Sequence, residues 1–130
     1  MIPYCHFHGL GIIPWAPLAH GDLARPLETV RGTDSDSQSS RKDSMRLSDE
    51  LIISRVEELA QKQGRTTSQI ALLWSTSKVT SPVISGSSIQ RLDDNLFGGC
   101  MLSEDEVKYL DEPCVPPFLL NEMCITLSDC

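Results

Sequence analysis

The sequence predicts an α/β fold with parallel strands. Three observations carry that expectation: two short apolar segments with strand character, amphipathic stretches at helical spacing between and after them, and capping signatures at the heads of those helices. Residues 9–15 (GLGIIPW) read as the first strand, approached through glycine and ended by Pro17. Residues 26–46 are dominated by Ser, Asp and charged side chains with few large apolar groups, so they are expected to form a mobile surface loop.

Ser48 then opens a helix whose first turn holds Asp49 and Glu50, suiting the positive end of the dipole. Leu51, Ile52, Val56, Leu59 and Ala60 are expected to share its buried face, and Gly64 stops it. Thr66 and Gln69 stand in capping-box spacing at the head of a second helix, with Ile70, Leu73 and Trp74 as its stripe and an end near Ser77. Residues 82–85 (PVIS) read as a second buried strand, followed through Gly86 by a helix boxed by Ser87 and Gln90. A last helix starts at Ser103, boxed with Glu106, and Pro113 breaks it. Two strands make no stable sheet by themselves, so the open strand edges are expected to invite self-association.

Charge excludes one class of function. With 11 basic against 18 acidic side chains the net charge is −7, which offers no footprint for a nucleic-acid backbone or an anionic membrane. Residues 1–10 lack the basic start of a signal peptide, and Pro14 and Pro17 interrupt the one apolar stretch near the N-terminus. The five cysteines are odd in number and scattered, which fits reduced thiols in a cytoplasmic protein. Cys5, His6 and His8 crowd together but match no metal-ligand spacing, so no metal site is expected.

One constellation has the chemistry of an anion site. Ser87, Ser88 and Arg91 bring hydroxyls and a guanidinium to the head of one short helix, the donor set that a phosphate requires. At the end of the first strand, Trp15 offers a ring that either packs in a core or stacks on a ligand.

Over residues 1–117 the chain resembles the aldo-keto reductases, NADP(H)-dependent (β/α)8 barrels. The resemblance is carried by PYCHFHGLGIIPWAPLAHGDLARP, similar to the family's seventh strand and following loop, and SPVISGSSIQRLDDNL, similar to its eighth strand and cofactor helix. LSEDEVKYLDEPCVPP resembles the C-terminal helix and tail, while residues 118–130 no longer follow the family. The resemblance implies the C-terminal part of a barrel, its last two strands with their helices, out of the ~250 residues that a complete barrel takes. Met1 aligns with an internal family position, so a truncated gene or gene model is expected.

By that resemblance, Trp15 stacks on the nicotinamide, and Ala16, Pro17, Leu18 and Ala19, with His20 and Gly21, form the loop over the pyrophosphate. Arg25 is the candidate for the basic residue that follows. Ser87, Ser88 and Arg91 fall beside the adenosine 2′-phosphate, and Asp94 and Asn95 correspond to adenine contacts. An arginine there favours NADPH over NADH, because its fork can chelate the phosphate NADH lacks. The intact relative would reduce an aldehyde or ketone by hydride transfer from NADPH. The family's catalytic Asp, Tyr, Lys and His belong to earlier segments, so the chain alone is expected to be inactive. The alternative is a non-enzymatic NADPH-binding regulatory subunit or an inactive pseudoenzyme fragment.

Overall fold

The computed structural model describes residues 1–28, 47–96 and 98–114. In chain order these form α1 (Ile2–Phe7), a kinked 3-10 segment (Ala19–Ala24), α2 (Leu47–Gln63), α3 (Thr67–Lys78), α4 (Ile89–Asn95) and α5 (Glu104–Asp111). There is no strand among the described residues, which overturns the expected α/β fold and with it the partial (β/α)8 barrel. Self-association through strand edges loses its basis for the same reason. The expected loop lies mostly, and the tail wholly, outside the described residues.

The two segments read as strands do lie side by side. Thr80 and Ser81 N–H groups both donate to the Ile12 carbonyl, at 3.1 and 3.2 Å, and Val83 N–H donates to the Pro14 carbonyl at 3.1 Å. The pairs 12–81 and 14–83 step in the same direction, as parallel neighbours do. A parallel ladder also needs return bonds from the other chain. Pro14 has no N–H to give, and the Ile12 N–H is taken by the Thr80 hydroxyl at 3.0 Å. Backbone-to-backbone bonds therefore run one way only, and extended chain does not become sheet.

The helices follow their sequence signals more closely. Helix α2 begins at Leu47 and ends at Gln63, where Gly64 turns left-handed at φ +63°. Gly64 N–H then bonds to the Gln61 carbonyl and Arg65 N–H to the Ala60 carbonyl, so two carbonyls the helix would orphan are satisfied. Its buried residues are Ile53, Val56, Leu59 and Ala60. Leu51, expected on that face, is exposed instead. At the head of α3, the Thr66 side chain accepts from Gln69 N–H and the Gln69 side chain accepts from Thr66 N–H, so the capping box is complete. Helix α4 is capped by Ser88 rather than Ser87.

Helix α3 is the centre of the packing. It meets α2, α4, α5 and the 3-10 segment, and Ile70, Ala71 and Leu73 join Val56, Leu59, Ala60, Leu102 and Leu110 in one apolar core. Two polar ties lock α5 against its neighbours. Asp111 accepts from Trp74 Nε1 at 2.8 Å and from Lys78 Nζ at 2.6 Å, both on α3. On α2, Arg55 lies over the Tyr109 ring at 4.3 Å and bonds to Glu112 at 2.6 Å. The Tyr109 hydroxyl donates to Glu58 at 2.7 Å, and that bond holds its pKa above the ordinary value.

Helix α5 is boxed at its head by Ser103 and Glu106. The Ser103 N–H and then the Gln63 side chain hold the Glu106 carboxyl below the usual range. A folded-state pKa below the unfolded one contributes stability that is present above the unfolded value and lost as pH falls through the folded one. Glu106→Gln is therefore expected to destabilise the chain at neutral pH, by roughly 0.3–1 kcal/mol as a charge lost from a helix N-terminus. Below the carboxylate range the two proteins should converge, because both side chains are then neutral. Urea denaturation at neutral and acid pH checks this, and a gap that persists in acid would contradict it.

Candidate functional site

The cleft that gathers most of the expected site residues has a volume of about 530 Å³. One wall is the turn that follows the extended segment: Trp15, Ala16, Pro17 and Leu18, continued by His20, Gly21, Ala24 and Arg25. The other is Val83, Ile84, Ser85, Gly86 and Ser87, then Arg91, Asp94 and Asn95 of α4. Thr66 and Ser68, at the head of α3, complete it.

Local rules explain how these residues arrive together. The hydrogen bonds between residues 12–14 and 80–83 set the two walls beside each other, so Trp15 and Ser85–Ser87 leave the paired region on the same side. After Trp15 the chain turns sharply. Ala16, Ala19 and His20 have φ of +54°, +49° and +60°, and the 3-10 segment kinks where His20 and Gly21 leave helical angles. Ala19 N–H bonds to the Ala16 carbonyl and Gly21 N–H to the Leu18 carbonyl, closing the turn.

On the opposite wall Gly86 permits a close approach. A Cβ at that position would lie 3.2 Å from both the Leu92 nitrogen and the Ser88 oxygen, so a side chain would push the turn off α4. Ser88 Oγ accepts the Arg91 N–H at 3.2 Å, which starts the helix. The Arg91 guanidinium donates to Ser87 Oγ at 3.0 Å and is exposed to solvent. Gln69 Nε2 donates to the Asp94 carbonyl at 2.8 Å, holding α4 against the head of α3.

Of the ten residues expected to bind cofactor, Trp15, Ala16, Pro17, Leu18, Ser87, Arg91, Asp94 and Asn95 line this cleft. Ala19 and Ser88 are not among its lining residues, and the Ser88 hydroxyl is engaged as the helix cap. Sequence reasoning missed Thr66 and Ser68. The signal was present, because Thr66 had been read as a cap, but its place in the cleft depends on the Gln69–Asp94 bond between two helices. Among the described residues no group of three or more His, Cys, Asp or Glu side chains is arranged to hold a metal. No described helix is long and apolar enough to cross a membrane.

The cleft brings together cations, a hydroxyl and an open aromatic ring. Arg91 and Arg25 supply cations, the Ser87 hydroxyl is already oriented by Arg91, and Trp15 offers an open ring face, 77% exposed. Hydride transfer to an aldehyde or ketone is another matter. That reading, of a truncated reductase or a regulatory or pseudoenzyme version of it, rested on a β/α barrel, and the described residues form none. The lack of any strand among the described residues overturns it.

The family model for the aldo/keto reductase family matches residues 1–113. The chain is 42% identical over 121 residues to an aldo-keto reductase of Fusarium vanettenii, covering 89% of this chain and 32% of that protein. It is 39% identical over 122 residues to the versiconal hemiacetal acetate reductase of Aspergillus parasiticus, covering 89% and 36%. An aldo-keto reductase of Metarhizium robertsii is 40% identical over 121 residues, covering 89% and 32%. The chain thus spans about a third of the length of the curated relatives it matches.

Proposed function

The chain belongs to the aldo/keto reductase family, and from that premise we propose that it is the C-terminal, cofactor-holding part of such a protein, binding NADP(H) in the cleft between Trp15 and Arg91. The observation that carries this reading is the convergence of Trp15, Ser87, Arg91, Asp94 and Asn95 on one cleft, although about seventy positions separate its two walls in the sequence. In this reading the chain supplies position and charge to the bound NADP(H).

Arg91 and Ser87 hold the 2′-phosphate, the guanidinium by its charged fork and the hydroxyl as a further donor. Asp94 repels phosphate but accepts from an amino group, so it and Asn95 face the adenine. Residues Ala16 to Leu18, with Arg25, run along the pyrophosphate. Trp15 stacks on the nicotinamide.

The direct test is titration of the 130-residue chain with NADP+ and NAD+, followed by calorimetry and by tryptophan emission. NADP+ is expected to bind about tenfold or more tightly than NAD+, as a charge-assisted phosphate contact would require. Indistinguishable affinities, or no binding of either, would remove the proposal. Mixing the chain with NADPH and an aromatic aldehyde is expected to give no turnover above a protein-free control.

A further inference from the structure

We infer that His20 is a positioning residue for Trp15, fixing the orientation of the indole so that its open face is presented to the nicotinamide end of the ligand. The inference rests on the proposed cofactor reading and adds to it a residue that acts on the ligand only through another side chain.

The Trp15 and His20 rings stand edge to face, with centroids 5.0 Å apart and planes at 75°. This is the preferred geometry of an aromatic pair. Both residues line the cleft. The indole is 77% exposed at the end of an extended segment, so little else restrains its side-chain torsions. A freely turning ring loses that freedom when a ligand stacks on it, whereas a ring already held by a neighbour does not.

The backbone between the two residues is shaped to bring them together. They are five positions apart, and the chain returns on itself through left-handed conformations at Ala16, Ala19 and His20, none of them glycine. Such angles are unfavourable for alanine and persist only where the surroundings impose them. Histidine is one of the residue types enriched there, so position 20 can make the turn and carry a ring at once.

Two substitutions separate the ring from the turn. Asparagine also tolerates the left-handed region but has no ring, while phenylalanine keeps a ring without the imidazole nitrogens. In the full chain, His20→Asn is expected to weaken NADP+ about threefold to tenfold, the range for loss of an aromatic pair. It should leave 2′,5′-ADP, which carries the 2′-phosphate but no nicotinamide, within about twofold of the unsubstituted chain on that same scale. His20→Phe should restore NADP+ binding in part, since the ring returns but a bulky residue is disfavoured at the left-handed angle of position 20. Equal weakening of both ligands would overturn the inference, since His20 would then be shaping the turn or touching phosphate. Unchanged binding in His20→Asn, or NADP+ binding in His20→Phe no tighter than in His20→Asn, would overturn it too. If the unsubstituted chain binds neither ligand, the cofactor reading itself fails and takes this role with it, an outcome distinct from the other three.

Discussion

Leu110→Ala is expected to destabilise the chain by about 2–5 kcal/mol, the cost of removing a leucine side chain from a packed interior and leaving a cavity. Leu110 is fully buried, on α5, in one cluster with Val56 and Leu59 of α2 and Ile70 and Leu73 of α3. It is therefore the point at which three helices meet. The polar ties around it, Asp111 to Trp74 and Lys78 and Arg55 to Tyr109 and Glu112, hold α5 in register, but they are partly exposed and cannot replace the lost burial. Net stabilities of ordinary domains are only about 5–15 kcal/mol, so the variant is expected to lose a large share of its stability at room temperature. Ile89→Ala is the control, because Ile89 is 80% exposed and its loss should change stability by less than about 0.5 kcal/mol. Denaturant midpoints for the two variants test the assignment. Similar costs for both would mean that the three-helix cluster is not the core.

Arg91→Ala is expected to weaken NADP+ by about 1.5–3 kcal/mol and to leave NAD+ nearly unaffected. The asymmetry follows from chemistry at one atom group, since only NADP+ carries the 2′-phosphate that a guanidinium can hold by two parallel bonds. In the free chain Arg91 Nη1 donates to Ser87 Oγ, so substitution also releases that hydroxyl to solvent, where it needs no partner. The backbone N–H of position 91 still bonds to Ser88, and α4 should remain capped. Because the guanidinium is exposed, its contribution should shrink as salt is added, by screening over a Debye length of about 8–10 Å. Titrations of both cofactors at low and high salt would read this directly. Equal losses for NADP+ and NAD+ would place Arg91 away from the phosphate.

Helices and caps were the legible part of this sequence. Thr66 with Gln69, Ser103 with Glu106, and Gly64 after α2 each state a local rule, and each operates within a few residues of the position that carries it. The failure was equally local in origin. Residues 9–15 and 82–85 have apolar composition suited to strands, and the chain at 80–83 does run beside residues 12–14, but strand identity depends on reciprocal bonding between distant segments. Pro14 withholds one donor, and the Thr80 hydroxyl diverts another. The proline was visible in the sequence. The competing hydroxyl was not, since nothing near Ile12 indicates that position 80 will face it. The cleft was legible in its parts for a similar reason: Ser87, Arg91 and Trp15 announce their chemistry singly, while the role of Thr66 and Ser68 as lining residues appears only when α3 and α4 are tied through Gln69 and Asp94.

The join between Ile12 and Thr80 also gives the molecule a history. That hydrogen bond closes a span of 68 positions, whereas α2 and α3 are separated by three residues and can pair almost as soon as they form. The entropy lost on closing a chain segment rises with its length, and contacts between near neighbours accordingly come first. The helical pair is therefore expected to assemble early and the N-terminal segment to dock late, held by a few hydrogen bonds. Trp15 travels with that segment. On that order the cleft is expected to be completed last, and a ligand bridging its two walls would act as the clasp that keeps the late step from reversing.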